Sequence, residues 1–555
     1  MVVSLISHTS SGPVEGFIDT HPVSEYSSAT RSVGPLSSIK KWLGIPYAKA
    51  RRWQRPQLPT TWTKPLQCFE FGPSFPQPMS GFDEMYAGKK GWFTRNFLGQ
   101  SENAFSLNVF APVTTEGLSK IPVMVWVYGG NLTTGSSNMP IYDPSEFVRA
   151  QAFSETPCIV VTGNYRVNVF GWLATGDLAE VNGHVGNFGL HDVIAIFEWV
   201  HVNIMEFGGD PDNVTGFGES AGAFLLGTLL KSGRRLFNRL ILQSGSYGLM
   251  GVNQKPSFAL YDKLLGQLVP ESMSLSAKDQ IHRLRTVPMT ELLNATQTLY
   301  RPGVWCLTHD PNEPGWANTV WDLVNRGDYD PWIESIIIGI NRDEGTFFNH
   351  RSQFWIPENA LKLVKDRRGF DDETCARLLN MYSPQYTAPD LSDLRTLPST
   401  MVYSDSCYLM PMLHAGGKLT TVPNSKTGKL ARVYMYLCCT LPSRLLEGYE
   451  NFGVLHTGEI PFIFKRSSLW EDLDDGKDAQ TSDTFGNFWT SFATSGTPGR
   501  DWPMFTKYDG NILIFDDGGK VSVGNAWKIR PAERQAWINA TEKSIVSKDT
   551  LATRH

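Results

Sequence analysis

The chain has 555 residues, of which 41% are hydrophobic and 19% charged, and its formal net charge is −5 at pH 7. This composition is ordinary for a globular protein, and it offers no electrostatic case for binding nucleic acid or an anionic membrane surface. No apolar run reaches the length of a transmembrane helix, so we expect neither a membrane span nor a signal peptide.

The cysteines are few, odd in number and without a pairing pattern. This usage is typical of a reducing compartment, and it predicts a cytoplasmic protein in which every thiol is reduced. The seven cysteines are Cys68, Cys158, Cys306, Cys375, Cys407, Cys438 and Cys439.

Apolar, β-branched runs recur along the chain with helical stretches between them. A helix is predicted at 192–209, where apolar residues recur at helical spacing and glycines end the run. The alternation predicts a mostly parallel α/β sheet in one domain, residues 1–555, with large insertions. For the first 115 or so residues we expect a small antiparallel portion of the sheet together with loops. The runs that predict buried strands are 120–130, 158–166, 213–219, 239–246, 335–345, 431–439 and 512–517.

A serine lies between two glycines in TGFGESAGAFLLG, residues 215–227. A predicted strand precedes Ser220 and a predicted helix follows it, which is the context of a nucleophile elbow. Gly218 and Gly222 would make room for such a strained turn. Gly-x-Ser-x-Gly also occurs by chance in long chains, so the interpretation requires a base, an acid and an oxyanion hole as well.

His456 is the best placed of the late histidines to act as the base. It lies in the loop after the predicted strand 431–439, and the order nucleophile, acid, histidine is the one that a nucleophile-elbow sheet uses. Three other late histidines are less well placed. His350 follows a strand end too closely, His414 lies at the end of a predicted packed helix, and His555 is the terminal residue.

Two adjacent acids end the predicted strand 335–345, where active sites gather in open parallel sheets. They are Asp343 and Glu344, and the residues alone do not separate them. The glycine pair Gly129 and Gly130 follows the first strong strand and offers flexible backbone for an oxyanion hole.

Taken together, the chain resembles the type-B carboxylesterase and cholinesterase-like branch of the α/β-hydrolases. The resemblance covers nearly the whole chain and implies the α/β-hydrolase fold, a mostly parallel central sheet flanked by helices. The segments that carry it are KWLGIPYA (41–48), SENAFSLNVFAP (101–112), GNYRVNVFGWL (163–173), GNFGLHDVIAIFEWVHVNIMEFGGDPDNVTGFGESAGA (186–223), LQSGS (242–246), DEGTFF (343–348), HTGEIPFIF (456–464) and FGNFWTSFATSGTP (485–498).

Position by position, the resemblance implies a catalytic triad. Ser220 would be the nucleophile, Glu344 the acid and His456 the base. Glu219 stands beside the nucleophile, and Ser244 occupies the place of a supporting hydroxyl near the triad. The choice of Glu344 over the adjacent aspartate rests on the resemblance.

The oxyanion loop departs from the family pattern. Members often carry His-Gly-Gly-Gly where this chain has Tyr128-Gly129-Gly130-Asn131. The resemblance implies that the backbone amides of Gly130, Asn131 and Ala221 form the hole. Asparagine tolerates positive φ better than most residues, so we expect the loop geometry to be kept.

Further expectations concern an absent disulfide, a lid and two ion pairs. The cysteines of a family disulfide would fall at Phe75 and Ala104, and both are absent. The aromatic-rich stretch 81–99 predicts a lid over the pocket, with a packed surface loop as the alternative. The family's structural ion pairs correspond to Arg52 with Glu102 and Arg166 with Asp192.

These observations predict a serine carboxylic-ester hydrolase that acts through an acyl-enzyme on a small to medium, largely apolar ester or lactone. No metal or cofactor is expected. One alternative uses the same triad for intramolecular acyl transfer, as in a lactonising, cyclising or transacylating enzyme of specialised metabolism. A less favoured alternative is a non-catalytic binding protein on this fold. The oligomeric state stays open between a monomer and a homodimer.

Overall fold

The computed structural model describes most of the chain. The aromatic-rich stretch predicted as a lid lies outside the described residues, apart from Gly99. The described residues are 5–20, 38–78, 99–113, 120–152, 154–247, 258–297, 305–310, 312–313, 320–349, 370–382, 393–445, 450–467 and 476–540.

Within those residues, thirteen strands form one sheet, in the order β1-β2-β3-β5-β7-β6-β8-β9-β10-β11-β12-β13 with β4 beside β2. The strands are β1 (Leu5–Thr9), β2 (Gly12–Asp19), β3 (Ile39–Pro46), β4 (Leu66–Gln67), β5 (Ser106–Pro112), β6 (Ile121–Val127), β7 (Ile159–Gly163), β8 (Gly209–Glu219), β9 (Arg239–Gln243), β10 (Ser335–Asn341), β11 (Arg432–Cys438), β12 (Asn511–Phe515) and β13 (Val521–Asn525).

The middle of the sheet is parallel and its margins are antiparallel. Strands β7, β6, β8, β9, β10, β11 and β12 run parallel to one another. Strands β1, β2, β3, β5 and β7 pair antiparallel in succession, and β13 pairs antiparallel with β12. The two-residue strand β4 pairs parallel with β2. The predicted mostly parallel sheet with a small N-terminal antiparallel portion is therefore confirmed.

Helices lie on the connections between strands, and one follows the last strand. They are α1 (Ser145–Gln151), α2 (Asn168–Trp172), α3 (Gly176–Asn182), α4 (Phe188–Asn203), α5 (Ala221–Thr228), α6 (Phe258–Leu268), α7 (Ala277–Thr286), α8 (Met289–Gln297), α9 (Val320–Asn325), α10 (Thr346–Asn349), α11 (Asp372–Tyr382), α12 (Pro398–Ser404), α13 (Met410–Leu419), α14 (Ile460–Ile463), α15 (Lys477–Ser495) and α16 (531–540). No helix in the described part of the chain is both long and apolar enough to cross a membrane.

The central strands are buried along their whole length. All residues of RLILQ in β9 and of SIIIGIN in β10 are buried, as expected for strands that are covered on both faces. Each of the seven predicted strands is present within a few residues of its expected bounds. The predicted helix at 192–209 begins earlier, at Phe188, and a 3₁₀ turn at Ile204–Phe207 ends it before Gly208, whose φ is +91°.

The sequence analysis did not predict β13, the last strand of the sheet. It is short and none of its five residues is buried, and VSVGN carries only two apolar side chains, so it lacks the continuous apolar run that marks the inner strands. Its pairing with β12 is a local antiparallel hairpin that needs no buried face on its outer side.

The positions of the absent family disulfide are filled by apolar packing. Phe75 and Ala104 are buried, and the Phe75 ring meets the Phe105 ring edge to face at a centroid distance of 4.9 Å. No disulfide joins any cysteine of the described chain.

Both expected ion pairs are present. Arg166 and Asp192 are almost fully buried, and Arg166 Nε and Nη2 each donate to an Asp192 carboxylate oxygen at 2.7 Å. The guanidinium also lies 5.1 Å from the centroid of the Phe105 ring. Arg52 Nε donates to Glu102 at 2.9 Å. The two pairs join helix α4 and the first loops to the sheet.

We expect Asp192→Asn to lower the free energy of unfolding by about 3–5 kcal/mol, because it leaves the buried Arg166 charge without its counterion. Glu198→Gln is the matched control, since Glu198 lies on the same helix and pairs with Arg234 while each side chain is 49% exposed. The control should change stability by less than about 1 kcal/mol. Guanidinium unfolding of both variants measures the difference, and equal effects would contradict the structural role of the buried pair.

Candidate active site

Ser220 lies on a sharp turn between β8 and α5. Its φ of +54° and ψ of −122° are costly for an L-residue and persist only where neighbouring structure fixes them. The Ser220 N–H donates to the Gln243 carbonyl of β9 at 2.9 Å. A Cβ at Gly222 would stand 2.0 Å from the Val127 carbonyl oxygen, and one at Gly218 would stand 2.6 Å from it. Glycine is therefore required on both sides of the serine.

Glu344 and His456 form a buried pair. His456 Nδ1 lies 2.5 Å from Glu344 Oε2, and the side chains are 2% and 1% exposed. The other carboxylate oxygen accepts hydrogen bonds from Ser244 Oγ at 2.6 Å and from the Asn341 N–H at 2.8 Å. The carboxylate is thus held in one orientation as an acceptor. An acceptor at Nδ1 places the ring proton there and leaves Nε2 as the basic nitrogen.

The adjacent acid, Asp343, faces away from the imidazole. Its Oδ2 accepts from the Val454 N–H at 2.8 Å and lies 3.0 Å from Arg342 Nε. A Cβ at Gly453 would stand 2.3 Å from the same oxygen. Asp343 therefore fixes the loop that leads to His456, and the structure brings Glu344, the acid chosen from the resemblance, into contact with the imidazole.

The second ring nitrogen of His456 faces Glu219, whose Oε1 lies 3.1 Å from Nε2. No hydrogen bond joins the Ser220 hydroxyl to His456 among the described residues. Hydrogen bonds of this kind are often made only when substrate is bound. Burial, followed by the charges of Glu459 and Glu344, raises the pKa of Glu219 well above its usual range. The neutral acid is therefore favoured at this position.

Glu459 is a further buried acid that the sequence analysis did not identify. Its Oε2 accepts from Asn341 Nδ2 at 2.5 Å, and its Oε1 accepts from Gln243 Nε2 at 3.3 Å. Burial, followed by the charge of Glu344, raises the pKa of Glu459. The sequence did contain one signal for Glu459, since it is a single acid at the start of the apolar run EIPFIF. An acid among buried residues requires hydrogen-bond partners.

The loop after β6 carries three successive residues with positive φ. Gly130 has φ +114°, Asn131 has φ +55° and Leu132 has φ +59°. The expectation that Asn131 adopts the left-handed region is confirmed. Gly129 packs so closely against the elbow that a Cβ there would stand 2.9 Å from the Cβ of Ser220.

Three backbone amides near Ser220 are available to a ligand. Ala221 is the first residue of α5, so its N–H has no acceptor within the helix. The amides of Gly130 and Asn131 donate to no backbone carbonyl of the described chain. A helix N-terminus next to Ser220 and loop amides without a carbonyl partner are groups that can bind developing negative charge.

Three aromatic rings pack near the His456 imidazole. Their centroids lie 5.0 Å (Tyr408), 5.2 Å (Phe348) and 5.9 Å (Phe347) from that of the imidazole. Tyr403 packs on Phe348 at 4.5 Å. We call these four residues the aromatic wall. The DEGTFF segment contained two of its members, but the two tyrosines come from a distant helix and gave no sequence signal.

Among the described residues, two further candidates from the sequence, His414 and Cys438, have packing roles. His414 lies on α13 and its Nε2 contacts Asn325 Oδ1 at 3.0 Å, in agreement with the packed role expected for it. His350 and His555 lie outside the described residues. Cys438 is buried in β11. In the part of the chain that is described, no group of His, Cys, Asp and Glu side chains has the geometry to hold a metal ion.

Comparison with known proteins shows the family of the chain. The COesterase family model, described as the carboxylesterase family, matches residues 4–532. A para-nitrobenzyl esterase of Bacillus subtilis (strain 168) is 30% identical over 502 residues, which cover 86% of this chain and 92% of the relative. A fumonisin B1 esterase of Sphingopyxis macrogoltabida is 28% identical, with 95% and 89% covered. A phenmedipham hydrolase of Pseudarthrobacter oxydans is 26% identical, with 94% and 96% covered.

Solved structures show the same fold. A thermophilic PNB esterase superposes with a TM-score of 0.76 at 26% identity, covering 96% of this chain and 100% of its own. Another PNB esterase gives a TM-score of 0.75 with the same identity and coverage. The predicted α/β-hydrolase fold is confirmed, and the chain belongs to the carboxylesterase family.

Proposed function

We propose that this carboxylic-ester hydrolase cleaves a small to medium, largely apolar ester or lactone through a Ser220 acyl-enzyme. The observation that carries the proposal is the buried contact of Glu344 with His456, made beside a serine on a positive-φ turn. A nucleophile, a base oriented by an acid and converging amides are the parts that acyl transfer requires.

The first half of the reaction forms the acyl-enzyme. His456 Nε2 turns from Glu219 to the Ser220 hydroxyl and takes its proton as Oγ attacks the substrate carbonyl. The amides of Gly130, Asn131 and Ala221 bind the oxyanion of the tetrahedral intermediate. The imidazolium, stabilised by Glu344, then gives its proton to the leaving alcohol, and the carbonyl re-forms as an ester of Ser220.

The second half releases the acid. Water occupies the place of the departed alcohol and gives a proton to Nε2 of His456 as it attacks the acyl carbon. The second tetrahedral intermediate collapses with transfer of that proton back to Ser220 Oγ. The products are the free carboxylic acid and the unmodified enzyme, so the proposed reaction is complete without a metal or cofactor.

The substrate class is proposed from the surroundings of the imidazole. The aromatic wall is apolar and lies next to His456, where a bound ester would be placed during attack. The names of the three relatives refer to unlike compounds, para-nitrobenzyl esters, fumonisin B1 and phenmedipham. Because these names do not point to one substrate, we base the proposed class on the aromatic wall, which is typical of a pocket for an apolar ligand.

The wider organisation follows the sequence analysis. We propose that residues 1–555 form a single α/β-hydrolase domain, since strands from residue 5 to residue 525 enter one sheet. The cytoplasmic location stays a prediction that rests on the sparse cysteines.

Ser220→Ala, His456→Ala and Glu344→Gln should each lower kcat for para-nitrophenyl butyrate by about 10⁴-fold or more, and the double variants should be little worse than the most impaired single variant. The three residues act as one unit, so removing a second member removes little more. Steady-state kinetics on folded variants measures this, and mass spectrometry of an acyl product separates hydrolysis, which adds water, from intramolecular transfer.

Asp343→Asn is the matched control for Glu344→Gln. It neutralises the adjacent acid but keeps an acceptor for the Val454 N–H. Most of the activity should remain. A kcat loss in Asp343→Asn as large as that in Glu344→Gln would contradict the assignment of the acid, and full activity in Ser220→Ala would overturn the acyl-enzyme.

Two substitutions of Asn131 distinguish a role of its backbone N–H from a role of its side chain. Asn131→Gly keeps the N–H and the positive φ, so turnover should stay nearly intact. Asn131→Pro removes the N–H and should lower kcat by about a hundredfold or more. Because proline also disturbs a residue at φ +55°, circular dichroism and a backbone ester at the same position serve as controls. Loss of activity in a folded Asn131→Gly variant would show that the side chain participates.

A further inference from the structure

A π-helical turn interrupts the helical stretch that supplies the tyrosines of the aromatic wall. Helix α12 ends at Ser404, the π turn covers Asp405–Leu409, and α13 continues from Met410. All five side chains of the turn are buried. A π turn adds a residue to the regular helix and is frequently found at functional sites.

One side of the turn faces the proposed acid and base. The Tyr408 ring lies 5.0 Å from the His456 ring, at an interplanar angle of 44°. Ser404, just before the turn, accepts a hydrogen bond from the Gly345 N–H at 2.9 Å and donates to the Thr400 carbonyl at 2.8 Å. Gly345 follows Glu344 directly. The turn therefore contacts the ring of the base and the backbone next to the acid.

The opposite side of the turn is anchored to the C-terminal segment. Asp405 is 1% exposed, and its Oδ1 accepts from Arg530 Nη1 at 2.7 Å. Its Oδ2 accepts from the Tyr382 hydroxyl at 2.7 Å, and that hydroxyl accepts from Trp537 Nε1 at 2.7 Å. Arg530 and Trp537 lie before and within α16. Three hydrogen bonds in a chain thus connect the last described helix to the π turn.

This anchor belongs to a second hydrophobic cluster, separate from the main core. The cluster contains Phe370, Cys375, Leu378, Tyr382, Val402, Trp537 and Ala540. Arg530 adopts φ +40°, a strained backbone for arginine, and its side chain still reaches the buried carboxylate. Burial of Asp405 requires a counterion, and Arg530 supplies it.

We propose that Asp405 and Arg530 are positioning residues for the ester-cleavage reaction. The pair fixes the π turn, and the turn holds Tyr408 against His456, so the C-terminal helix controls the orientation of the base. The inference rests on the proposed role of His456. Neither residue of the pair touches the reacting atoms, so the effect on turnover is transmitted through Tyr408.

Arg530→Met tests the connection, with kcat expressed per site titrated by a serine-directed phosphonate. We expect kcat for para-nitrophenyl butyrate to fall about ten- to hundredfold with KM within about twofold, since a small displacement of a reacting group has effects of this size. Arg530→Lys keeps the charge and should recover most of the loss. All rates are measured well below the lowest unfolding midpoint.

Arg55→Met is the matched control. Arg55 pairs with Glu313, and its side chain is 28% exposed, the same fraction as that of Arg530. It should lower the unfolding midpoint without lowering kcat. A loss of kcat in Arg55→Met equal to that in Arg530→Met would attribute the effect to general loosening and overturn the proposal.

A double-mutant cycle with Tyr408→Leu tests the route. If Arg530 acts through Tyr408, adding Arg530→Met to Tyr408→Leu should change kcat by less than about twofold, because coupled residues are not additive. Losses that multiply would overturn the proposal, as would full kcat in Arg530→Met. If Arg530→Met does not fold, Trp537→Phe replaces it, since phenylalanine keeps an aromatic ring at this position but lacks the N–H that donates to the Tyr382 hydroxyl. Full activity of His456→Ala would instead reject the proposed function itself.

Discussion

Strands β8, β9, β10 and β11 lie side by side and parallel, so their carboxyl ends meet at one edge of the sheet. Ser220 follows β8, Ser244 follows β9, Glu344 follows β10, and the loop to His456 begins after β11. The pairing of Gly218 with Leu242 and of Gly339 with Gln243 keeps these ends level. A slip of one residue would turn each strand's side chains to the other face, so the register of the core sets the geometry of the site.

Three glutamates are buried near the His456 imidazole, where their negative charges would repel one another. Hydrogen bonds determine which of them is compensated. An ionised carboxylate loses several kcal/mol on burial unless donors or a cation compensate it. Glu344 receives the Ser244 hydroxyl, the Asn341 amide and His456, whereas burial raises the pKa of Glu219 and of Glu459. Glu344 is therefore the acid whose carboxylate the surrounding donors and the imidazole compensate. A proton gained by the imidazole during turnover would then meet a charge that is already desolvated and oriented.

The sequence predicted the inner strands and the elbow because their signals are local. A buried parallel strand requires a continuous apolar run, and a strained serine turn requires small neighbours at Gly218 and Gly222. The acid depended on the family resemblance, because Asp343 and Glu344 are adjacent and both polar. What separates them is the Val454 amide, which binds the first and lies more than 100 residues away in the chain.

The parts that the sequence analysis missed are those that depend on distant contacts. Glu459 is buried because Asn341 and Gln243 supply donors, and neither residue has a distinctive sequence context. Tyr408 reaches His456 because a π turn redirects it, and no periodicity in the sequence marks one extra residue in a helix. β13 was missed for the opposite reason, since an exposed margin strand needs no apolar run.

Five of the eleven non-glycine residues with positive φ in the described part of the chain lie in the loops of the site, and at two of them the side chain has a role that glycine lacks. Asn131, Leu132, Ser220, Ser244 and Thr457 all have positive φ and all lie in the loops of the site. Each such residue costs on the order of 1–3 kcal/mol, which the surrounding sheet offsets. At Ser244 the hydroxyl binds Glu344, and at Leu132 the side chain is fully buried. Glycine would relieve the strain at these two positions but would remove an oriented donor or a packed side chain, so the strained residue is the one that keeps the acid and the oxyanion loop in place.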